Sequence, residues 1–307
     1  MTTDRFICGV DVGGTSIKFG LFTPQGELRR RWRIPTDTSY QGRNILPQIA
    51  RSIRSQLPLS QLLGVGMGVP GPVQADGMVN RCVNLGWSMV PAGQTLSALL
   101  DGVPVQVAND ANAAALGECW QGAGQGASSL LLVTLGTGVG SGIVLEGRLL
   151  AGAHGSAGEL GHLTVNFQEK QVCACGKRGC LEQYASASGI LRMARETGLS
   201  ARDAKEVCTL AAAGVKPACE VVEKAGRLLG VALSHAVCLL DVERILLGGG
   251  VAAAGAVLMN PTQESFRANV FPASAETELG FAALGNDAGL YGAARLALSG
   301  QSATTSL

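Results

Sequence analysis

The order of apolar and polar positions along the chain predicts strands and helices in alternation. Short β-rich apolar runs at residues 6–10 and 17–22, and a third run that ends near Ile34, predict three consecutive strands. Further strands are predicted at residues 63–69, 103–107, 130–135, 143–145 and 244–247. Helical spacing of apolar residues predicts helices at 43–57, 186–197, 218–240 and 288–299, and an alanine-rich helix ends near Trp120. This alternation is typical of the α/β class.

The first predicted strand ends in a glycine-rich turn. Gly13 and Gly14 allow backbone amides to approach a phosphate, and Thr15 adds a hydroxyl group. Asp11, just before them, is suited to hold Mg²⁺ or its water shell. A glycine-rich hairpin required for steric reasons alone has a similar sequence, so the motif by itself leaves both interpretations open.

A second copy of this unit lies in the other half of the chain. The strand at 130–135 leads into a loop in which Thr134 takes the place of Asp11, and Gly136, Thr137 and Gly138 cover the positions of residues 13–15. At 307 residues, two domains are expected. The repeat predicts a duplicated domain with a nucleotide held between the halves. A third glycine cluster follows the strand at 244–247 and is a candidate for the adenosine end of that nucleotide: Gly248, Gly249 and Gly250.

Asp110 stands where a predicted strand ends and the alanine-rich helix begins. The positive end of the helix dipole stabilises a carboxylate there. Asn and Asp are also common helix caps, and on local sequence alone a cap is the favoured interpretation of this position.

Three of the nine cysteines fall within eight residues, and a histidine precedes them. Short glycine turns between these residues allow four ligands to converge on one Zn²⁺: His162, Cys173, Cys175 and Cys180. Four protein ligands leave no open position, which indicates a structural zinc. Free cysteines of a reduced protein are the alternative. A disulfide is the weaker one, because cysteines one residue apart bridge poorly.

Composition and charge limit the classes of binding partner. A net charge of +1 argues against nucleic acid, and no apolar run approaches the ~20 residues of a membrane helix. The N-terminus shows no signal peptide pattern, so a soluble, cytoplasmic protein is expected. The polar tail at 299–307 is expected to be disordered.

Six motifs together resemble the successive motifs of the ROK family of sugar kinases, and within it the bacterial glucokinases. They are DVGGT (11–15), GVPGP (68–72), ANDANAAALGE (108–118), LGTGVGSG (135–142), GSAGELGH (155–162) and CACGKRGCLE (173–182). The resemblance extends from about residue 6 to residue 295, nearly the whole chain.

The resemblance implies an actin-like ATPase fold, in which two ribonuclease-H-like α/β domains close over a cleft. The domains are expected at 1–119, completed by a helix at 288–307, and at 120–287. ATP, with Mg²⁺, would phosphorylate a sugar hydroxyl, and Asp110 would be the base. Homodimers or homotetramers are implied as well. The implied sugar ligands are Gly71, Asn84, Asn109, Asp110, Glu159, His162 and Glu182.

His162 would then use one ring nitrogen for zinc and the other for sugar, so that zinc forms a rigid support for the sugar pocket. Glucose is the predicted acceptor; N-acetylmannosamine, N-acetylglucosamine, fructose and allose kinases share most of the motifs. A solvated loop carboxylate is the alternative for Glu159. Lys18 is expected on a strand face, and an approach to phosphate is the alternative. His154 and His235 receive no role.

Two other function classes are considered. Transcriptional repressors of the same family carry a DNA-binding helix-turn-helix before the first strand. Only five residues precede Phe6, so a repressor is not expected. A sugar sensor without catalysis is disfavoured by the presence of Asp11, Asp110 and both glycine loops.

Overall fold

The computed structural model describes residues 5–299, a mixed α/β chain. Its strands are β1 (Phe6–Val12), β2 (Ser16–Phe22), β3 (Leu28–Pro35), β4 (Leu62–Val69), β5 (Met78–Cys82), β6 (Trp87–Pro91), β7 (Val105–Asn109), β8 (Leu130–Leu135), β9 (Val139–Leu145), β10 (Arg148–Leu149), β11 (Arg244–Gly248) and β12 (Glu278–Phe281). Its α-helices are α1 (Ser39–Gly42), α2 (Ile45–Arg54), α3 (Ala92–Leu99), α4 (Asp110–Gln121), α5 (Glu182–Ala185), α6 (Ala187–Glu196), α7 (Ala204–Ala212), α8 (Lys216–Leu240), α9 (Ala256–Asn269) and α10 (Ala288–Ser299).

The contacts divide the chain into two compact units. Unit 1 comprises Met1–Gly126, Gly142–Ala157 and Asn286–Leu307, and unit 2 comprises Ala127–Ser141 and Gly158–Gly285. The predicted domain limits at residues 119 and 287 stay a prediction.

Unit 1 is built on a five-stranded sheet of order β3-β2-β1-β4-β7. β1, β2 and β3 form an antiparallel meander, and β1, β4 and β7 run parallel. Buried apolar residues of α2 and α3, including Ile49 and Leu96, pack with Val10 and Met67 in one core cluster. A second cluster joins Ile7 of β1 to Leu290 of α10. The sheet is therefore covered by helices from distant parts of the sequence.

Helix α10 packs unusually close to its neighbours because the contact positions are glycines. A Cβ added at Gly66 of β4 would lie 1.7 Å from the carbonyl oxygen of Ala293. A Cβ added at Gly292 of α10 would lie 1.6 Å from the carbonyl oxygen of Ala113 in α4. No side chain fits in these spaces, so Gly66 of β4 and Gly292 of α10 allow the helix to pack closely against β4 and α4.

The second sheet repeats the strand order of the first, β10-β9-β8-β11-β12. Here too the last three strands are parallel, with β11 paired to both β8 and β12. Long helix α8 packs on α9 in unit 2, where Gly230 faces the carbonyl of Thr262. The repeat that the glycine loops predicted is thus present at the level of topology.

Several elements differ from the predictions. β9 begins at Val139, four residues before the predicted strand, because Gly140 and Gly142 lie within the strand and not in a loop. The hairpin β5–β6 and helices α3, α7 and α9 were not predicted. From residue 300 onward the chain lies outside the described range 5–299. The predicted disorder of the tail at 299–307 and the last part of the helix predicted at 288–307 fall there. Within that range, no helix is both long and apolar enough to cross a bilayer.

Candidate functional site

Asp110 is the first residue of α4, directly after β7. The helix cap is Asn109, whose Oδ1 accepts the N–H groups of Ala111 at 2.9 Å and of Asn112 at 3.3 Å. The Asn109 Nδ2 donates to the carbonyl of Gly71 at 3.2 Å, which ties the cap to the Pro-Gly-Pro turn. Local sequence favoured a cap at Asp110, but its neighbour has that role.

The Asp110 carboxylate has an altered acidity. Burial is the largest cause of a raised pKa, and the charge of Asp11 raises it further. The N–H of Ala111, which donates to Oδ1 at 2.9 Å, acts in the opposite direction. The side chain nevertheless remains accessible to solvent. An accessible carboxylate whose proton affinity is increased is suited to accept a proton from a bound hydroxyl group.

Asp11 pairs with a cation. Lys18 lies opposite Asp11 in the β1–β2 register, and its Nζ is 3.0 Å from Asp11 Oδ2. The same Nζ donates to the carbonyl of Asn286 at 3.0 Å. Lys18 therefore lies on the strand, as expected, and sequence alone gave no sign that it neutralises Asp11.

The glycine loop at 13–15 is a tight turn between β1 and β2. Gly13 donates its N–H to Ser16 and accepts the Thr36 hydroxyl at 2.6 Å. Thr15 accepts the N–H of Thr36 at 3.1 Å. A Cβ added at Gly14 would come within 3.6 Å of the carbonyl of Asn84, so the exposed Asn84 lies beside this loop.

In unit 2 the loop at 136–138 is held by the starts of α5 and α6. Glu182, the first residue of α5, accepts the N–H of Val139 through Oε2 at 2.9 Å. A Cβ at Gly138 would lie 2.4 Å from that same oxygen. Gly136 accepts the N–H of Ala187 at 2.8 Å. Thr137 accepts the Ser188 hydroxyl at 2.9 Å.

A cavity of about 530 Å³ in unit 2 opens beside this loop. It is mostly apolar, and Asp203 and Lys205 lie at its wall. Gly136 and Gly250 both line it, and a Cβ at either would meet nothing within 4 Å. Its other lining residues are Thr137, Ala187, Ala204, Cys208, Thr209, Ala212, Val251, Ala253 and Ala254. The volume is within the range of small-molecule sites.

Only one residue of the third glycine cluster lines this cavity. Gly248 ends β11, and Gly249, at φ +85°, packs against the backbone of Leu135. These two residues shape the turn, whereas Gly250 faces the space. Sequence reasoning missed the wall formed by α7, although Asp203 caps that helix and Glu206 follows three residues later, a recognisable start signal.

His162, Cys173, Cys175 and Cys180 converge in unit 2. One possible ligand atom from each lies within 4.8 Å of all the others. His162 Nδ1 is 3.9 Å from Cys173 Sγ, and the Sγ atoms of Cys175 and Cys180 are 3.6 Å apart. With Zn–S bonds of about 2.3 Å, ligands of a tetrahedral site lie about 3.8 Å apart, so the distances of 3.9 and 3.6 Å match the spacing of such a site.

Local backbone geometry makes this convergence possible. Gly176 and Gly179 have φ of +88° and +72°, and a Cβ at Gly179 would overlap the carbonyl of Asn166. Lys177 donates to the His162 carbonyl at 2.9 Å, which joins the cysteine loop to the histidine. The other ring nitrogen of His162, Nε2, lies 3.9 Å from Glu159 Oε2.

The predicted residues therefore form groups within each unit. Unit 1 holds Asp11, Gly13, Gly14, Thr15, Gly71, Asn84, Asn109 and Asp110. Unit 2 holds Gly136, Thr137, Gly138, Glu159, His162, Cys173, Cys175, Cys180, Glu182, Gly248, Gly249 and Gly250. Their ligand roles stay predictions.

Known proteins resemble the whole chain. A model of the ROK family matches residues 7–299. The chain is 42% identical over 311 residues to the glucokinase of Halalkalibacterium halodurans, with 94% of each protein covered. The crystal structure of a ROK hexokinase from Thermus thermophilus has a TM-score of 0.86 at 33% identity, covering 97% of this chain and 100% of that one. That of a ROK family glucokinase from Streptomyces griseus, in complex with glucose and AMPPNP, has a TM-score of 0.76 at 31% identity and covers 96% and 99%.

Proposed function

The chain belongs to the ROK family, and on that premise we propose that it is an ATP-dependent glucokinase that forms glucose 6-phosphate. It has the actin-like ATPase fold of its structural neighbours, and it is a sugar kinase. The observation that carries the proposal is the environment of Asp110. Its carboxylate is accessible and has a raised pKa, and it does not cap the helix because Asn109 does.

Asp110 accepts the proton of the attacking sugar hydroxyl as that oxygen bonds to the γ-phosphorus of ATP and the bond to the β-phosphate oxygen breaks. Its raised pKa matches the task, because a base with somewhat increased proton affinity takes the proton more readily in the transition state. Asn109 and Gly71 keep the base fixed at the strand end. Positioning of this kind is the main contribution of a protein to phosphoryl transfer.

The glycine loops are proposed to hold ATP. The space at Gly136 and Gly250, where no atom lies within 4 Å of an added Cβ, suits phosphate and adenosine approaching the backbone. The apolar walls from α7 suit a purine ring. Gly13, Gly14 and Thr15 are the second phosphate loop.

Asp11 is the carboxylate that would hold Mg²⁺ or its waters, and the ion, bound with ATP, would supply positive charge beside the transferred phosphoryl group. Lys18 keeps the Asp11 side chain in one orientation.

The sugar residues are proposed to be Asn84, Asn109 and Asp110 with the Gly71 backbone from unit 1, and Glu159, His162 and Glu182 from unit 2. His162 presents Nδ1 to the cysteines and Nε2 toward Glu159. A zinc ion held by His162, Cys173, Cys175 and Cys180 would fix the ring orientation and serve as a structural support without an open coordination position.

The direct test is a coupled assay for ADP release with purified protein, MgATP and glucose. We expect turnover with glucose and a higher kcat/KM than with N-acetylglucosamine or N-acetylmannosamine. Absence of turnover across a hexose panel contradicts the enzyme assignment. A reversed preference keeps the kinase and makes an N-acetylhexosamine the acceptor.

Family resemblance is also the basis for a proposed homodimer or homotetramer. Size-exclusion chromatography with light scattering tests it, and a monomer across the assay concentration range contradicts it.

A further inference from the structure

Asn112 in the ANDAN motif is not used by the proposed chemistry, yet its environment is unusual. The residue is 5% exposed, and its Oδ1 is buried without a hydrogen-bond partner in residues 5–299. A buried amide oxygen without a hydrogen-bond partner is less stable than a satisfied one. The atom accepts hydrogen bonds, so it needs a donor, and it marks a polar position in the wall of a cavity without itself being a contact for an anion.

Asn112 lines a second cavity, of about 530 Å³, within unit 1. One wall is α4, through Asn112 and Leu116, and another is α10, through Arg295 and Leu296. Arg148 and Leu149 of β10 close a third side. A smaller cavity of about 350 Å³ shares Leu116, Gly147 and Arg295 with it.

The charged residues that line the cavity are all positive. Arg148 and Arg295 both line it, and among its lining residues there is no acidic side chain. Within residues 5–299, neither arginine side chain has an ion-pair or hydrogen-bond partner. Guanidinium groups without a carboxylate bind phosphate and carboxylate well.

The beginning of α4 adds to this potential, since Asn109 and Asn112 lie in its first turn and both line the cavity. The positive end of a helix dipole favours anions. Asp110, which opposes that effect, is not among the lining residues. The remaining wall is apolar, formed by Val73, Val107, Leu116, Leu149 and Leu296.

We propose that this cavity binds a small organic anion, with a phosphate or carboxylate group at Arg148 and Arg295 and an apolar body against Val107 and Leu116. The site is separate from the proposed ATP cavity in unit 2, whose lining residues it does not share. A ligand here would contact Asn109, the residue that caps the helix of Asp110. Asn109 is also a proposed sugar ligand, so the site is placed to influence sugar binding through that shared residue.

The test uses simple probes on the full chain, without sugar or nucleotide. Phenyl phosphate and benzoate each combine an anion with an apolar ring, and inorganic phosphate lacks the ring. Isothermal titration calorimetry is expected to show binding of phenyl phosphate or benzoate, with inorganic phosphate at least tenfold weaker. The preferred probe identifies phosphate or carboxylate as the favoured group.

Arg148→Gln and Arg295→Gln are each expected to weaken that binding at least tenfold. Arg33→Gln is the matched control, because Arg33 is exposed on β3 in the same unit and does not line the cavity. Asn112→Leu should leave the melting temperature unchanged or raised and should not weaken binding, since it removes an unsatisfied buried acceptor that makes no contact to an anion.

Three results would overturn the proposal: no binding of either ring-bearing probe, equal binding by wild type and both cavity arginine variants, or loss of binding when glucose and AMPPNP saturate the active site. The last result would locate the probe at the kinase centre. Because the measurement needs no catalysis, failure of the glucokinase assignment would not affect it.

Discussion

The carboxylate of Glu182 accepts the backbone N–H of Val139 at 2.9 Å, so a predicted sugar ligand also holds the predicted phosphate loop. Glu182 follows the cysteine loop directly, with only Leu181 between it and Cys180. The Glu182 side chain thus connects the start of α5 to the loop at 136–138, two positions after a cysteine of the predicted metal cluster. Two substitutions of Glu182 can separate its hydrogen bond to the loop from its proposed contact with sugar.

Glu182→Gln keeps an oxygen that accepts the Val139 N–H but removes the charge. We expect KM for glucose to rise about 10- to 100-fold, the cost of one hydrogen bond from a charged group, with KM for ATP nearly unchanged. Glu182→Ala removes both functions, so KM for ATP should rise as well. Steady-state kinetics with each substrate varied decide this; equal KM values for ATP in the Ala variant and wild type would refute the link to the loop.

Asp110→Asn should remove catalysis and preserve the fold. Loss of a general base lowers kcat by about 10² to 10⁴, or about 3 to 5 kcal/mol of barrier. Glucose binding by calorimetry and the melting temperature should change little, because Asn109 and not Asp110 caps α4. The neighbouring Asn109→Ala is the contrasting variant, expected to lose about 1 kcal/mol of stability. Near-normal turnover by Asp110→Asn would exclude it as the base.

The raised pKa of Asp110 predicts a pH dependence. The base acts as a carboxylate, so kcat/KM for glucose should fall as pH decreases through a pKa above the ordinary aspartate value of 3.8. Asp11→Asn removes the charge that helps to raise it, and the acidic limb should move to lower pH. A limb at the same pH in both proteins would contradict this electrostatic coupling.

The same shift has a consequence for stability, with a defined sign. The folded state binds the Asp110 proton more tightly than the unfolded chain, so the stabilisation is present below about pH 3.8 and is lost as pH rises through the folded pKa. Asp110→Asn should therefore be relatively more stable at pH 7 than at pH 3, compared with wild type. Urea unfolding at the two pH values measures this difference.

Two glycines in one loop should respond differently to alanine. A Cβ at Gly138 meets Glu182 Oε2 at 2.4 Å, whereas one at Gly136 meets nothing within 4 Å. Gly138→Ala should displace Glu182, lower the melting temperature and raise both KM values. Gly136→Ala should keep its melting temperature and raise only KM for ATP, because its methyl group occupies space proposed for phosphate. An unchanged KM for ATP in Gly136→Ala would move the phosphate elsewhere.

Metal analysis should find about one zinc per chain. Cys175→Ser is expected to lose that metal. It should raise KM for glucose more than KM for ATP, since zinc supports His162. Cys238→Ser is the matched control, another exposed cysteine in unit 2 that lies outside the cluster. Mass spectrometry of metal content and substrate kinetics are the measurements. A wild-type protein without zinc and with full activity would end the proposal.

The sequence predicted those features whose signals are local. The strand around Val10 and the helix after Asp110 follow from periodicity and strand-end position. The Cys and His ligands were recognisable from composition and spacing, and the structure brings them within 4.8 Å. The ROK resemblance was confirmed by the family model.

What could not be predicted depends on packing between distant segments. Nothing near Lys18 in sequence shows that it reaches the carbonyl of Asn286. The wall that α7 contributes beside Gly250 is likewise a tertiary feature. The choice of Asn109 over Asp110 as the cap rests on a backbone difference of one residue, which is finer than sequence patterns resolve.

The position of α10 sets an order of events during synthesis. Ile7 and Phe22 form a core cluster with Leu290 and Ala297, so the first strands to leave the ribosome need the last helix for their burial. The two segments of unit 2, Ala127–Ser141 and Gly158–Gly285, are synthesised before that helix. We therefore expect a released chain that ends at residue 285 to contain a protease-resistant second unit and an N-terminal sheet that still exposes one apolar face.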